Sequence, residues 1–187
     1  MVLKQLPIKR RGLTEFTYSR FAVPYLCHFR GTALFLDADI VVTADIAELF
    51  DCANRRDEVQ VMQEQARFEW PSVMLFNNDR CEKLTPDFIE DETNVLFDFA
   101  WARSVGTFPP EWNHCVGYKE PGKASLYHYT QGIPCWNETK GVEDGPWMTE
   151  AKAAVHTVSW HELMGGSVHA KPVQERLQAA YDARKRA

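Results

Sequence analysis

The run Thr32-Ala33-Leu34-Phe35-Leu36, closed directly by Asp37-Ala38-Asp39, constrains the fold more than any other stretch of the chain. It is short, continuous and apolar, as expected of a strand buried on both faces. Such a strand delivers its two acids to its C-terminal end, where ligands gather in open α/β sheets. Carboxylates held close together raise each other's proton affinity unless a cation neutralises them. Magnesium or manganese resolves that conflict, because hard cations take oxygen ligands and bridge to nucleotide phosphates. By itself the pattern is unspecific, since two acids marking a solvated turn fit it about as well.

Helices and further strands surround this element. From Thr14, a candidate N-cap, the residues Tyr18, Phe21, Ala22, Tyr25, Leu26 and Phe29 recur at helical spacing, with Pro24 disturbing the interior and Gly31 ending the helix. Ile40-Val41-Val42 is a second apolar run, and Asp45 with Glu48 resembles a capping pair opening a short helix through Phe50. Segments 58–63, 72–76 and 125–129 predict strands, and Thr85-Pro86 a helix start. Stretches 97–122 and 130–147 are rich in Trp, Pro and Gly and predict loop. Segments 147–164 and 172–186 predict helices, the second amphipathic through Val173, Leu177 and Tyr181. A chain of 187 residues that is 45% apolar is large enough for one domain, 1–187, around a single core. The element order implies an α/β class with a mixed central sheet flanked by helices.

Charge and cysteine usage narrow the function. A net charge of -5 argues against a nucleic-acid surface spread over the molecule, and Arg184-Lys185-Arg186 fits a solvated helix end. Cys27, Cys52, Cys81, Cys115 and Cys135 lack the close spacing of zinc or redox motifs, so reduced thiols are expected. No stretch is long and apolar enough for a membrane span, and the first eleven residues lack a leader pattern, so a cytoplasmic location is expected.

Four blocks carry a resemblance. Thr14 to Phe21, Leu34 to Asp39, Pro109-Pro110-Glu111-Trp112-Asn113, and His128-Tyr129-Thr130-Gln131-Gly132-Ile133-Pro134-Cys135-Trp136 occur in the order seen in small retaining glycosyltransferases of the type A fold. Over residues 12 to 140 the chain resembles family eight and its glycogenin-like relatives, in particular the compact sugar transferases of bacteria and large DNA viruses. The resemblance implies metal-dependent transfer of a sugar from a nucleoside-diphosphate sugar, usually of uridine, to a hydroxyl of a glycan or other acceptor. It implies Asp39 as a manganese or magnesium ligand, Asp37 as a contact of metal and ribose, and His128 as the ligand completing the protein's share. Without the matching Gly132, Pro134 and Trp136, His128 would read as a hydrogen-bonded core histidine. Arg20 matches a residue that reaches the diphosphate or donor sugar, and a surface arginine on an amphipathic helix fits it equally. Trp112 and Asn113 match positions near the donor sugar or acceptor. Ser72 and Asn77 could face sugar hydroxyls, although a packed strand explains that segment as well. Among the loop tryptophans Trp70, Trp101, Trp112 and Trp136, the resemblance favours Trp112 and Trp136 for stacking on a sugar ring.

Two departures from the family pattern stand out. Only 36 residues precede Asp37, and the first 13 do not resemble the family's opening nucleoside-binding strand-helix-strand unit. An N-terminally shortened domain with an incomplete nucleoside pocket is therefore expected, unless the true coding start lies upstream or a partner chain completes it, and uridine and guanosine diphosphates should bind alike. In addition, Asp98 to Ser104 offers a single acid, so no nucleophile is assigned; front-face displacement, in which the donor's phosphate helps deprotonate the acceptor, needs none.

Other readings compete. In a haloacid-dehalogenase-like phosphatase, Asp37 would attack phosphorus and Asp39 protonate the leaving group, but no later acidic pair is evident and His128 goes unexplained. A sugar-nucleotide binding module without turnover is the other. Repulsion between Asp37 and Asp39 also predicts that Asp39→Asn raises the melting temperature of the metal-free protein.

Overall fold

The structure, a computed structural model, describes residues 8–14, 16–63, 70–157, 162, 165–166 and 170–185. Among them run the strands β1 (Thr32–Leu36), β2 (Ile40–Val42), β3 (Val59–Val61), β4 (Val73–Asn77), β5 (Val105–Thr107), β6 (His114–Cys115) and β7 (Leu126–His128). The α-helices are α1 (Phe16–Ser19), α2 (Val23–Leu26), α3 (Ile46–Asp51), α4 (Pro86–Glu90), α5 (Asp144–Thr157) and α6 (Ala170–Lys185). The chain divides into two compact units, Met1–Ala38 with Ala44–Trp112, and Asp39–Thr43 with Asn113–Ala187.

The first unit is built on a sheet of order β1-β4-β3-β5, with β3 and β5 parallel and the other pairs antiparallel. The expectation that 32–36 is buried on both faces is not met. β1 is an edge strand, paired on one side by β4 from Thr32 opposite Asn77 to Leu36 opposite Val73, and its residues are only partly covered. β4, inside the sheet, takes the buried role, with Val73, Met74, Leu75 and Phe76 all at or below 2% exposure. The N-terminal helix is also not continuous. A 3-10 turn over Arg20–Ala22 separates α1 from α2 and turns Phe21 and Ala22 into the core. Pro24 sits inside the first turn of α2, where its missing N–H has no partner to lose. Phe21, Phe76, Leu84, Ile89 and Trp101 fill the core of this unit. Local capping chemistry holds as expected: Asp45 accepts from Ala47 N–H at 2.9 Å, and Thr85 Oγ1 from Phe88 N–H at 3.2 Å.

The second unit carries the sheet β2-β7-β6. β2 runs antiparallel to β7 with Ile40 opposite His128, and β6 runs parallel to β7 with Cys115 opposite His128. Val41, Val116, Tyr127 and Tyr129 pack with Trp147 as its core. α5 begins at Asp144, inside the segment expected to be loop, and Arg176 of α6 pairs with Asp144. Val173 of α6 is buried, whereas the side chain of Tyr181 lies outside the described residues. β5, β6 and a 3-10 turn over Pro110–Trp112 likewise fall within the expected loop 97–122. Strands of two or three residues draw their stability from partners distant in sequence and leave no periodic pattern. Among the described residues no helix is long and apolar enough to cross a membrane, and the five cysteines are free thiols.

Candidate metal centre

The second unit brings Asp39 and His128 together. Asp39 immediately precedes β2, His128 closes β7, and the backbone N–H of Tyr129 donates to the Asp39 carbonyl at 2.9 Å. Imidazole Nε2 lies 3.3 Å from Asp39 Oδ1. His128 is buried, while the Asp39 side chain is 39% exposed, so the pair opens to solvent on the carboxylate side. On the other side of the ring, Nδ1 lies 3.2 Å from Asn113 Oδ1 and 3.9 Å from Cys115 Sγ. Burial pulls the His128 pKa down, but hydrogen bonds with Asp39 and Cys115, reinforced by their charges, outweigh it and lift the value to about 10.

The first unit holds Asp37, Arg20 and Ser72 together. Asp37 directly follows β1 and donates its N–H to the Ser72 carbonyl at 2.9 Å. Arg20 grips the Asp37 carboxylate with both terminal nitrogens, Nη2 to Oδ1 at 3.0 Å and Nη1 to Oδ2 at 3.3 Å, and Nη1 also donates to the Pro71 carbonyl at 2.8 Å. Its guanidinium lies over the Phe35 ring, 5.0 Å from the centroid. With side-chain exposures of 12% and 21%, this is no solvated arginine, and the surface reading of Arg20 is corrected. The forked geometry uses what an arginine offers and a lysine does not. The chain passes from the first unit to the second between Ala38 and Asp39.

Several residues singled out in the sequence take other places. Ser72 and Asn113 are fully buried and Trp112 is 3% exposed, so none offers a free face to a sugar ring or hydroxyl here. Asn77 lies at the opposite end of β4 from Ser72, and its amide donates to the Arg55 carbonyl at 3.3 Å. Trp101 is core, and the side chain of Trp70 lies outside the described residues. Gly132 has φ +112°, and a Cβ there would stand 3.2 Å from Trp136 Cδ1. That glycine thus serves both the turn and the close approach of a partly exposed indole. Sequence reasoning missed the contact between Asn113 and His128, which depends on the parallel pairing of β6 with β7, and the part-buried pair of His114 with Glu143, 2.8 Å apart.

The donor chemistry suits a divalent cation. Asp39 supplies a hard oxygen and His128 an imidazole nitrogen, the combination that manganese accepts, and the second ring nitrogen is anchored as in metal-bound histidines.

Residues 3–92 match the family model of glycosyl transferase family 8. Over that stretch the chain is similar to the sequences of glycosyl transferase family 8. The match covers Asp37-Ala38-Asp39 and the Arg20 helix. A curated protein similar to this chain, Protein CDI of Arabidopsis thaliana, is 28% identical over 166 residues, with 73% of the chain covered. The chain spans 64% of the length of that relative. Two solved structures share the fold. An active-site mutant of LgtC superposes with a TM-score of 0.56 at 13% identity, covering 81% of this chain and 71% of that one. The galactosyltransferase LgtC in complex with donor and acceptor sugar analogues gives a TM-score of 0.56 at 14% identity, covering 83% and 73%. At such identities the likeness concerns the fold, which is the type A glycosyltransferase fold.

Proposed function

We propose that this chain transfers a glycosyl group from a nucleoside-diphosphate sugar, with uridine as the base, to a hydroxyl of a glycan or other acceptor, retaining the anomeric configuration. One observation carries the reading: strand pairing seats a histidine against the second acid of an Asp-x-Asp that follows a strand. Asp37, Asp39 and His128 are the proposed ligands of manganese or magnesium, since Asp37 is tethered to Asp39 through Ala38 alone. When bound, the cation neutralises charge growing on the departing nucleoside diphosphate.

The chain's own residues do the rest. Arg20 holds the Asp37 carboxylate in a fixed direction and would offer a permanent positive charge to the donor's phosphates. Trp136 offers part of its indole as a stacking face, with Gly132 leaving room for it. Ser72 supports Asp37 through its backbone carbonyl, and Asn113 stands behind His128. No dedicated base is assigned to the acceptor hydroxyl, consistent with the single acid of the 98–104 stretch and with front-face displacement.

Calorimetric titration with uridine diphosphate, with and without manganese, tests the reading. Binding that requires manganese is expected, and equal binding in a chelator would remove the metal from the site. Release of uridine diphosphate from a sugar donor separates turnover from a module that only binds.

A further inference from the structure

We propose that Asn113 is a positioning residue that fixes His128 in the tautomer and direction needed to offer Nε2 to a cation beside Asp39; the proposal rests on the metal-centre reading above. Asn113 has no exposed surface and cannot touch a ligand itself. Its Oδ1 lies 3.2 Å from His128 Nδ1, on the side of the ring away from Asp39. An amide oxygen can only accept, so this contact calls for a hydrogen on Nδ1. In the neutral ring that hydrogen leaves the lone pair on Nε2, the nitrogen that faces Asp39 Oδ1 at 3.3 Å.

The backbone holds Asn113 in place for this task. It directly precedes β6, whose Cys115 is in parallel register with His128, and Val116 N–H donates to the His128 carbonyl at 2.9 Å. Lys119 Nζ donates to the Asn113 carbonyl at 3.1 Å, which anchors the main chain from the other side. Cys115 Sγ stands 3.8 Å from Asn113 Oδ1 and 3.9 Å from His128 Nδ1, and a thiol there can donate weakly to the same amide oxygen. The Cys115 thiol beside Oδ1 thus favours the amide orientation that turns its oxygen toward the ring. Outer partners of this kind typically tune metal affinity by about 10–100-fold.

The test is manganese titration alone, read by the electron spin resonance of free manganese, on the intact chain and on Asn113→Ala and Asn113→Asp, with the metal-free melting temperature recorded for each. Asn113→Asp keeps an oxygen acceptor at Nδ1, and its affinity should stay within a few-fold of the parent. Asn113→Ala should bind about 10–100-fold more weakly in its folded fraction. A lower melting temperature in Asn113→Ala with unchanged affinity would mean a merely structural asparagine and overturn the proposal, as would Asp and Ala variants that lose affinity equally. If the parent chain binds no manganese, the metal centre itself fails, a result distinct from an Asn113→Ala that binds as the parent does. Should Asn113→Ala not fold, nitrogen NMR of the magnesium-loaded parent decides: His128 protonated at Nδ1 upholds the proposal, and a hydrogen on Nε2 overturns it.

Discussion

Ile40 stands opposite His128 in the antiparallel pairing of β2 with β7, and the residue before it, Asp39, thereby meets the imidazole at 3.3 Å. Side chains alternate across a strand, so a slip of one residue in this pairing would turn His128 to the opposite face. The geometry of the proposed centre is therefore a property of sheet register as much as of residue identity.

Asp39→Asn removes the charge while keeping the shape. Manganese-dependent binding of uridine diphosphate should be lost, and a calorimetric affinity equal to the parent's would exclude Asp39 as a ligand. The structure reverses the stability expected from the sequence. Asp37 is gripped by Arg20 and Asp39 faces His128, so each carboxylate has its own positive partner and there is no uncompensated repulsion to relieve. The metal-free variant should melt slightly lower, by no more than the about 0–1 kcal/mol typical of a partly exposed pair. A higher melting temperature would restore the repulsion account.

His128→Ala should affect both metal and fold. His128 is buried at 1% exposure, and truncation leaves a void and removes one hydrogen-bond partner of Asn113 Oδ1. A loss of about 2–3 kcal/mol in urea unfolding is expected from the cavity and the lost hydrogen bond together. A ligand histidine and a core histidine are not opposites here, so stability alone cannot assign the role. Manganese affinity of the folded variant can: if it is unchanged, His128 is not a ligand.

The elements legible in the sequence were those fixed by local chemistry. Asp45 and Thr85 accept from N–H groups two and three residues ahead of them, and such caps are written in a few adjacent letters. The apolar runs of β1 and β4 were visible for the same reason. Which of them would be the edge was not, because apolar composition does not reveal the number of neighbours. β6 spans only His114–Cys115 and exists through its pairing with β7. With β6 hidden, the orientation of Asn113 toward His128 was hidden too. Arg20 was read as a ligand contact or a surface residue, yet its grip on Asp37 follows from the 3-10 turn that interrupts the helix.

Gly132→Ala tests whether the turn after β7 needs its glycine. The φ of +112° is hostile to any L side chain, and the new Cβ would press on Trp136 at 3.2 Å. A destabilisation of about 1–3 kcal/mol is expected from strain of this kind. Trp136 fluorescence should shift as the indole gives way. An unfolding midpoint equal to the parent's would show that the turn accommodates a side chain.

Cys81 should make the protein base-labile. It is 1% exposed, its thiol points at the carbonyl oxygens of Glu58 at 3.1 Å and Asn77 at 3.3 Å, and a thiolate there would face both. Burial, with help from the Glu58 charge and against the pull of Arg80, pushes its pKa from 9.0 up to about 12. The folded state thus holds this proton more tightly than the unfolded chain does. Stability from the buried thiol is fully present below pH 9 and is lost as pH rises from there through about 12, because the unfolded chain ionises first. The urea midpoint should accordingly fall between pH 9 and pH 11, a window that opens at the thiol's ordinary value of 9.0. Cys81→Ala should show a shallower fall than the parent over the same range, even though the variant starts from a lower midpoint at neutral pH. Parallel curves for the two proteins would mean that the thiol is not held neutral by the fold.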